Sequence, residues 1–401
     1  MRIKQHIGRS IVIMLFLICM SLTIFYSKEN DNTCRIQMIS LTDSSIDGER
    51  AIEIQETEQK EDIPVNFTLW GETKSQTVEN TELYRSARLN VLTVYGDAGL
   101  VLPSDGILNR DDYEGCLISE DMAYELFQST NVIDQIIEYG GRSYIIRGTI
   151  PNVEEVLMIQ ATALTSEVMN RISVEITSGQ RARVVVEGLA NRYGFPNESR
   201  SVQVYSEWSG MIIGVILLVM GAGILIPLIK ICINCRKQPA LCLVNCGITF
   251  LLLLIFMWIV KSYYHYPDDM IPNRWSDFEF WTDLFEQKWT EFLALLQAEK
   301  TVVEMMSMKP FLQVLKYSVC VIALYGLFVR KSEIDNVVSL YIYLAAAVIS
   351  SYIGVLLCRD SLNEVTKNRV IWYFMIFYLC GKYVVGKLHK AEAERNAVLI
   401  N

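Results

Sequence analysis

Met211-Ile-Ile-Gly-Val-Ile-Leu-Leu-Val-Met-Gly-Ala-Gly-Ile-Leu-Ile-Pro-Leu-Ile-Lys-Ile231 carries one basic residue, at its far end, and is otherwise apolar or small. About 20 such residues cross the hydrocarbon core of a bilayer as a helix. Five further runs of this kind stand at 10–26, 240–260, 311–329, 337–357 and 370–385. An ionised side chain at the centre of a span costs about 2.5–3.5 kcal/mol on insertion scales, and the middles of these runs carry none. Between the first run and 211–231 lies a long polar stretch, 27–208. The spacing predicts a membrane protein: a six-helix transmembrane bundle with a large extracytoplasmic domain between helices 1 and 2.

The basic residues orient this plan, because short cytoplasmic loops hold an excess of Lys and Arg. Arg2, Lys4 and Arg9 precede the first run, Lys230, Arg236 and Lys237 lie between the second and third, and Lys382, Lys387, Lys390 and Arg395 follow the last. Six spans put all three groups, with Arg330 and Lys331, on the cytoplasmic side. Both termini are then cytoplasmic and 27–208 is outside. Arg359, Lys367 and Arg369 break the pattern, so parity alone orients the last three spans. The first run leaves through Thr23-Ile-Phe-Tyr-Ser27-Lys without a small-x-small site, which predicts an uncleaved signal anchor. The expected divisions are 1–26 (tail and helix 1), 27–208 (external domain), 209–263 (helices 2 and 3), 264–309 (an external helical loop) and 310–401 (helices 4 to 6 and tail).

Hydrophobic residues make up 51% of the chain, and the net charge of −9 places acid in the external part, with Glu53, Glu56, Glu58, Glu61 and Asp62 close together. An acidic outer domain excludes a nucleic-acid surface. Eight of the ten cysteines fall in or beside the apolar runs, where Cys packs as a small hydrophobe. Cys34 and Cys116 are the two within 27–208, and a disulfide between them is open.

Within 27–208 the stretch 30–61 is polar and reads as a flexible connection with room for one strand. Val65-Asn-Phe-Thr-Leu-Trp70 alternates as a strand, 89–95 is a second and 115–118 a third. Ser119 is placed to cap a helix over 119–127, with Glu120 and Asp121 at the positive end of its dipole. Gly140-Gly141 joins strand-like runs 135–139 and 142–150, which suits a type I′ turn because both positions need positive φ. The runs 171–176, 179–193 and 201–205 read as strand, helix and strand, half of a ferredoxin-like unit. The expected class is α+β in two subdomains.

Cys116-Leu-Ile-Ser119-Glu-Asp-Met-Ala123-Tyr-Glu-Leu126-Phe127, followed by Ile137-Glu-Tyr-Gly-Gly-Arg-Ser-Tyr144-Ile-Ile-Arg-Gly148-Thr-Ile150-Pro, resembles the periplasmic core domain of MacB/FtsX-type ABC transporter permeases. The resemblance covers 65–205. It implies a permease-like subunit that hydrolyses nothing itself, working with a separate ABC ATPase and a second permease copy in export or mechanotransmission. The chain departs from the family pattern at two places. Gln128 stands where the family has Gly after Leu-Phe, and Val132-Ile-Asp134 stands for Pro-x-Gly. It also has six runs rather than four, with little beyond 234–239 as a cytoplasmic lever after helix 2. An accessory or sensory membrane protein that keeps the external domain without coupling to an ATPase is the alternative.

In 264–309, Ser276-Asp-Phe-Glu279 forms a capping box. Phe278, Trp281, Phe285, Trp289, Phe292 and Leu296 then recur at helical spacing. Two readings stand open: a helix lying in the outer headgroup layer, or one packed under the external domain or against span ends.

Catalytic signatures are missing. There is no G-x-x-x-x-G-K-[ST], no G-x-G-x-x-G after a strand and no H-E-x-x-H, and His6, His265 and His389 all lie near membrane ends. Cys232, Cys235, Cys242 and Cys246 flank a short loop and could take zinc or form a redox pair, but the bland reading is span packing. Asp111-Asp112 reads as a solvated turn, and Lys261 and Lys316 as residues snorkelling to headgroups. Pro227 is expected to kink its helix. No catalytic residue, cofactor or metal is assigned, and the partners expected are the bilayer, an ATPase and a second copy.

Overall fold

A computed structural model describes residues 2–33, 36–41, 46–163, 168–176, 182–195, 203–263, 278–297, 300–329, 334, 336–357 and 370–400. Cys34, His265, Ser276, Arg330, Lys331 and the loop holding Arg359, Lys367 and Arg369 lie outside the described residues. So do both the capping box and the disulfide raised for Cys34. The chain divides into two units: 1–30, 206–273 and 310–401 form one, and 31–205 with 274–309 the other.

The first unit is helical. It comprises α1 (Arg2–Thr33), α5 (Gln203–Asn234), α6 (Pro239–Tyr263), the larger part of α8 (Val302–Leu324), α9 (Val337–Leu357) and α10 (Val370–Ile400). α1 continues past 26, where its apolar run ends, and α10 continues well past 385. Among the described residues four helices are long and apolar enough to cross a membrane: Ile11–Asn30, Gln203–Asn234, Pro239–Lys261 and Val302–Leu327. A fifth apolar stretch, Val337–Ser350, is shorter. α5 is central: Ile213, Leu217, Met220, Ile224 and Leu228 are buried against Phe16 and Met20 of α1, Phe256 of α6 and Phe374 and Tyr378 of α10. Gly221 and Gly223 allow that approach. A Cβ at the first would overlap the Phe256 ring, and one at the second the Tyr325 hydroxyl. Leu218, Leu243, Phe250, Trp258, Val319 and Ile322 turn outward and are exposed. An apolar belt of that extent is stable in lipid rather than in water.

The second unit is α+β. Strands β1 (Ile36–Ser40), β2 (Phe67–Asn80), β3 (Arg85–Tyr95), β4 (Gly115–Ser119), β5 (Ile136–Tyr139), β6 (Arg142–Ile150), β7 (Val156–Gln160) and β8 (Arg171–Glu175) form one sheet in the order β1-β8-β2-β3-β7-β4-β6-β5. β3–β7 and β4–β6 pair in parallel and the other neighbours antiparallel. A pairing of Glu79 with Glu138 joins β5 back to β2. Helices α2 (Gly48–Glu58), α3 (Glu120–Phe127), α4 (Ala182–Tyr193) and α7 (Phe278–Gln297) complete the unit.

The two subdomains expected from sequence appear as two cores on this one sheet. Ala51 and Ile54 of α2, Val186 and Leu189 of α4, Phe67 and Leu69 of β2 and Ile172 and Val174 of β8 form the first. Met122, Ala123 and Leu126 of α3 with Val78, Leu89, Val91, Ile118, Ile146 and Leu157 form the second. β2 and β3 are long enough to serve both, and their register shifts between Thr73 and Gln76, where Ser75 has φ +54°.

The structure corrects several expectations. The stretch 30–61 is not a loose connection. It ends α1, forms β1 and then folds as α2, whose first turn is capped by Asp47 accepting from Arg50 N–H at 3.0 Å. α2 shows little apolar period because part of its buried face is polar. Gln55 Nε2 donates to Phe67 O, and Glu58 is 2% exposed. β7 was not anticipated. Residues 203–205 start α5 instead of a strand, so among the described residues no strand follows α4 to complete a half ferredoxin-like unit. Ser119 occupies the N-cap of α3, yet its Oγ accepts from Val156 N–H at 3.0 Å rather than from its own helix. Asp112 is no free turn residue either: Arg147 Nε donates to its Oδ2 at 2.8 Å. The Gly140–Gly141 turn has φ of +57° and +75°, as a type I′ turn requires.

Candidate functional site

Among the described residues no group of three or more His, Cys, Asp or Glu side chains is arranged to hold a metal ion. Cys242 Sγ lies 4.0 Å from Cys246 Sγ and points at Cys232 O, while Cys235 Sγ accepts from Asn245 Nδ2 at 3.5 Å. Cys246 thus neighbours both Cys232 and Cys242, and Cys235 makes a separate contact with Asn245. His389 sits 3.8 Å from Glu392. Cys116 is fully buried in the second core, and burial pushes its thiol up from its ordinary value. Lys316 lies over the Tyr317 ring, 5.3 Å from its centre.

The arrangement in the α+β unit that ties a strand to the start of a candidate span is the seat of α8 on β2. Trp70, Glu72 and Lys74 alternate on one face of β2. Trp70 is fully buried, its indole N–H donating to Ser173 Oγ at 2.9 Å. Two residues on, Glu72 Oε2 accepts the backbone N–H of Val302, in the first turn of α8, at 3.0 Å. Thr301 and Glu304 close a reciprocal capping box on the same turn. Glu304 N–H donates to Thr301 Oγ1 at 3.2 Å, and Thr301 N–H to Glu304 Oε2 at 2.9 Å. Three of the amides a helix start leaves orphaned are therefore satisfied, two of them by carboxylates at the positive end of the helix dipole. Thr301, Val302, Val303 and Glu304 are all buried.

Burial holds the Glu72 carboxyl above its ordinary range. The Val302 N–H and the charges of Lys74 and Arg171 oppose that shift, and Glu304 adds to it. Glu72 Oε2 is thus held by a backbone donor, and the charges of Lys74 and Arg171 favour its ionised form. α8 extends to Leu324 with Pro310 inside it, where the missing N–H removes one backbone hydrogen bond.

In the helical unit the same helix is joined to α1 by the stacked rings of Tyr26 and Tyr317, 5.8 Å apart and within 6° of parallel. α1 is joined to α5 by Asn30 Nδ2 donating to Ser209 Oγ at 2.9 Å, with both residues fully buried. Near the other end of α5, Asn234 Nδ2 donates to Glu392 Oε1 of α10 at 2.7 Å. Sequence reasoning found none of these contacts. Their one legible trace is Thr301-x-x-Glu304 at the head of the fourth apolar run, a capping box by the same rule that was applied to Ser276.

No family model and no curated protein matches the chain. Among solved structures, the periplasmic region of MacB from Actinobacillus actinomycetemcomitans is similar over 40% of this chain and 85% of its own, at 12% identity and a TM-score of 0.33. The extracellular domain of the noncanonic ABC-type transporter YknZ from Gram-positive bacteria is similar over 40% of this chain and 96% of its own. Its identity is 16% and its TM-score 0.32.

Proposed function

We propose that this chain is a permease-like membrane subunit of an export or mechanotransmission system, driven by a separate ATPase and acting as a pair of copies. Its six apolar runs cross the membrane, both termini are cytoplasmic and 27–208 works outside. The observation that carries the reading is the seat of α8 on the sheet through Glu72, because α8 is itself one of the candidate spans. A helix gripped at its N-terminus by a strand of the α+β unit pulls on that strand when it tilts. α1 and α5, covalently continuous with the chain at either side of 31–205, supply two further levers. Export or force transmission needs this linkage and needs no catalytic side chain.

The α5–α6 connection, one tight turn over Cys235–Lys237, leaves no room for a lever helix there and favours the accessory or sensory alternative. α10 weighs the other way. It stays helical to Ile400, and Asn234 braces it at Glu392, so a rigid extension stands next to that turn. Purification of the full chain from its native membrane tests the two. A stoichiometric ATPase whose hydrolysis is altered by Glu72→Ala supports the permease, and a chain that elutes alone supports the accessory protein.

A further inference from the structure

α7 turns a continuous apolar stripe outward. Trp281, Phe285, Trp289, Leu293 and Leu296 follow one another at steps of four, four, four and three residues, and every one is exposed, from 37% to 57%. The neighbouring stripe, Phe280, Leu284, Lys288 and Phe292, is partly covered, with Phe292 edge-on to Tyr205 at 6.4 Å. The helix therefore already has its protein-facing side, and the tryptophan stripe is a second apolar surface. Packing of this stripe under the sheet of the α+β unit would bury the tryptophans, and they are exposed.

We propose that this stripe lies in the outer headgroup layer of the bilayer and that its ligand is zwitterionic lipid. Three features of the chain choose that occupant. First, α7 is flanked on both sides by candidate spans, α6 before it and α8 after it. Only residues 298–301 separate Gln297 from Val302, at most about 18 Å of extended chain, so the helix cannot leave the neighbourhood of α8's start. Second, the stripe holds two tryptophans and no charge, which is the composition of a surface that sits at the boundary of headgroup and acyl chain. Third, α7 as a whole holds Glu279, Asp283, Glu286 and Glu291 against the single cation Lys288. An anionic surface would repel it, whereas a zwitterionic one need not.

The inference requires α6 and α8 to cross a bilayer and is independent of any ATPase partner. Its test uses the full chain in phosphatidylcholine nanodiscs whose acyl chains are brominated either near the glycerol end or near the methyl end. Emission from Trp281 and Trp289 is obtained by subtracting the W281F/W289F double variant from the wild type, or each single Trp→Phe variant where the double does not fold. The expected result is a clear loss of that emission with shallow bromine, little loss with deep bromine, and a smaller shallow loss in Phe285→Glu. Replacing part of the phosphatidylcholine with phosphatidylglycerol should leave the shallow loss the same or lower. Emission open to aqueous acrylamide and untouched by either bromine position would overturn the proposal. Shielding from both bromine and acrylamide would also overturn it, because a protein surface, a second copy included, would then cover the stripe.

Discussion

Glu58 closes the C-terminal end of α2, and its removal is a quantitative test of how the first core is held. Its carboxylate, 2% exposed, accepts from Val65 N–H at 3.0 Å, from Tyr193 O–H at 2.6 Å and from the Arg192 guanidinium. It thereby ties α2 to the start of β2 and to the end of α4. Hydrogen bonds to a charged acceptor contribute about 1.5–3 kcal/mol each. Arg192 is 36% exposed, so its share is screened and adds little. Two shielded donors remain, and Glu58→Ala also relieves the desolvation of the carboxylate. The net loss is about 3 kcal/mol. That corresponds to a roughly 150-fold faster opening equilibrium for the amides of α2 and α4, read by hydrogen exchange on the full chain. Glu58→Gln keeps the shape and one acceptor, and an acceleration of about tenfold is expected.

The pH dependence has a definite sign. Burial alone would raise the Glu58 carboxyl, but the hydrogen bonds from Tyr193, Val65 and Arg192, with the Arg192 charge, hold it below the ordinary 4.5. A depressed folded value gives stability that is fully present above the unfolded value and is lost as pH falls through the folded one. The gap between wild type and Glu58→Ala should therefore be full at neutral pH and shrink below about pH 4.5. Exchange in Glu58→Ala within about fivefold of wild type, or a gap that widens on acidification, would refute the reasoning.

Three more outcomes follow from the geometry. Glu72→Ala orphans the buried Val302 N–H at a cost of about 1–3 kcal/mol. Exchange should rise over the first turn of α8 while α2 and α4 keep their protection, and a uniform rise would point to general unfolding instead. Gln128 and Asp134 sit at φ +58° and +64°, so Gln128→Gly should stabilise α3 by about 0.5–1 kcal/mol, checked by slower exchange there. Cys116 should resist a membrane-impermeant maleimide on intact cells whatever its sidedness, because it is fully buried. Ile107→Cys, at a site 79% exposed, should label before lysis if 27–208 is outside.

How much of this was legible in the sequence varied by element, for physical reasons. The Gly140–Gly141 hairpin was readable because the constraint is local: two adjacent positive φ angles admit few other residues. Gln128 and Asp134 were visible as departures from the resembled pattern, but only the backbone shows what a glycine there would relieve. α2 was missed because Gln55 and Glu58 on its buried face are satisfied by partners distant in sequence, Phe67, Arg110, Val65, Arg192 and Tyr193, so no apolar period betrays it. β7 is a five-residue run buried throughout, and such a run has no alternation to read. Residues 201–205 alternated like a strand, but those from Gln203 onward are drawn into the helix that continues through α5.

The apolar runs, the polar stretch between the first two and the acidic charge balance are properties of composition along the chain. The sequence alone therefore determined that this is a membrane protein with an α+β part, because transfer free energy depends on residue type and run length. The contacts between elements depend on which distant residues meet. Glu72 and Val302 are far apart in the chain, and no local rule brings a strand carboxylate to a helix start; only the fold decided that α8 is held there, and that the tryptophans of α7 face outward.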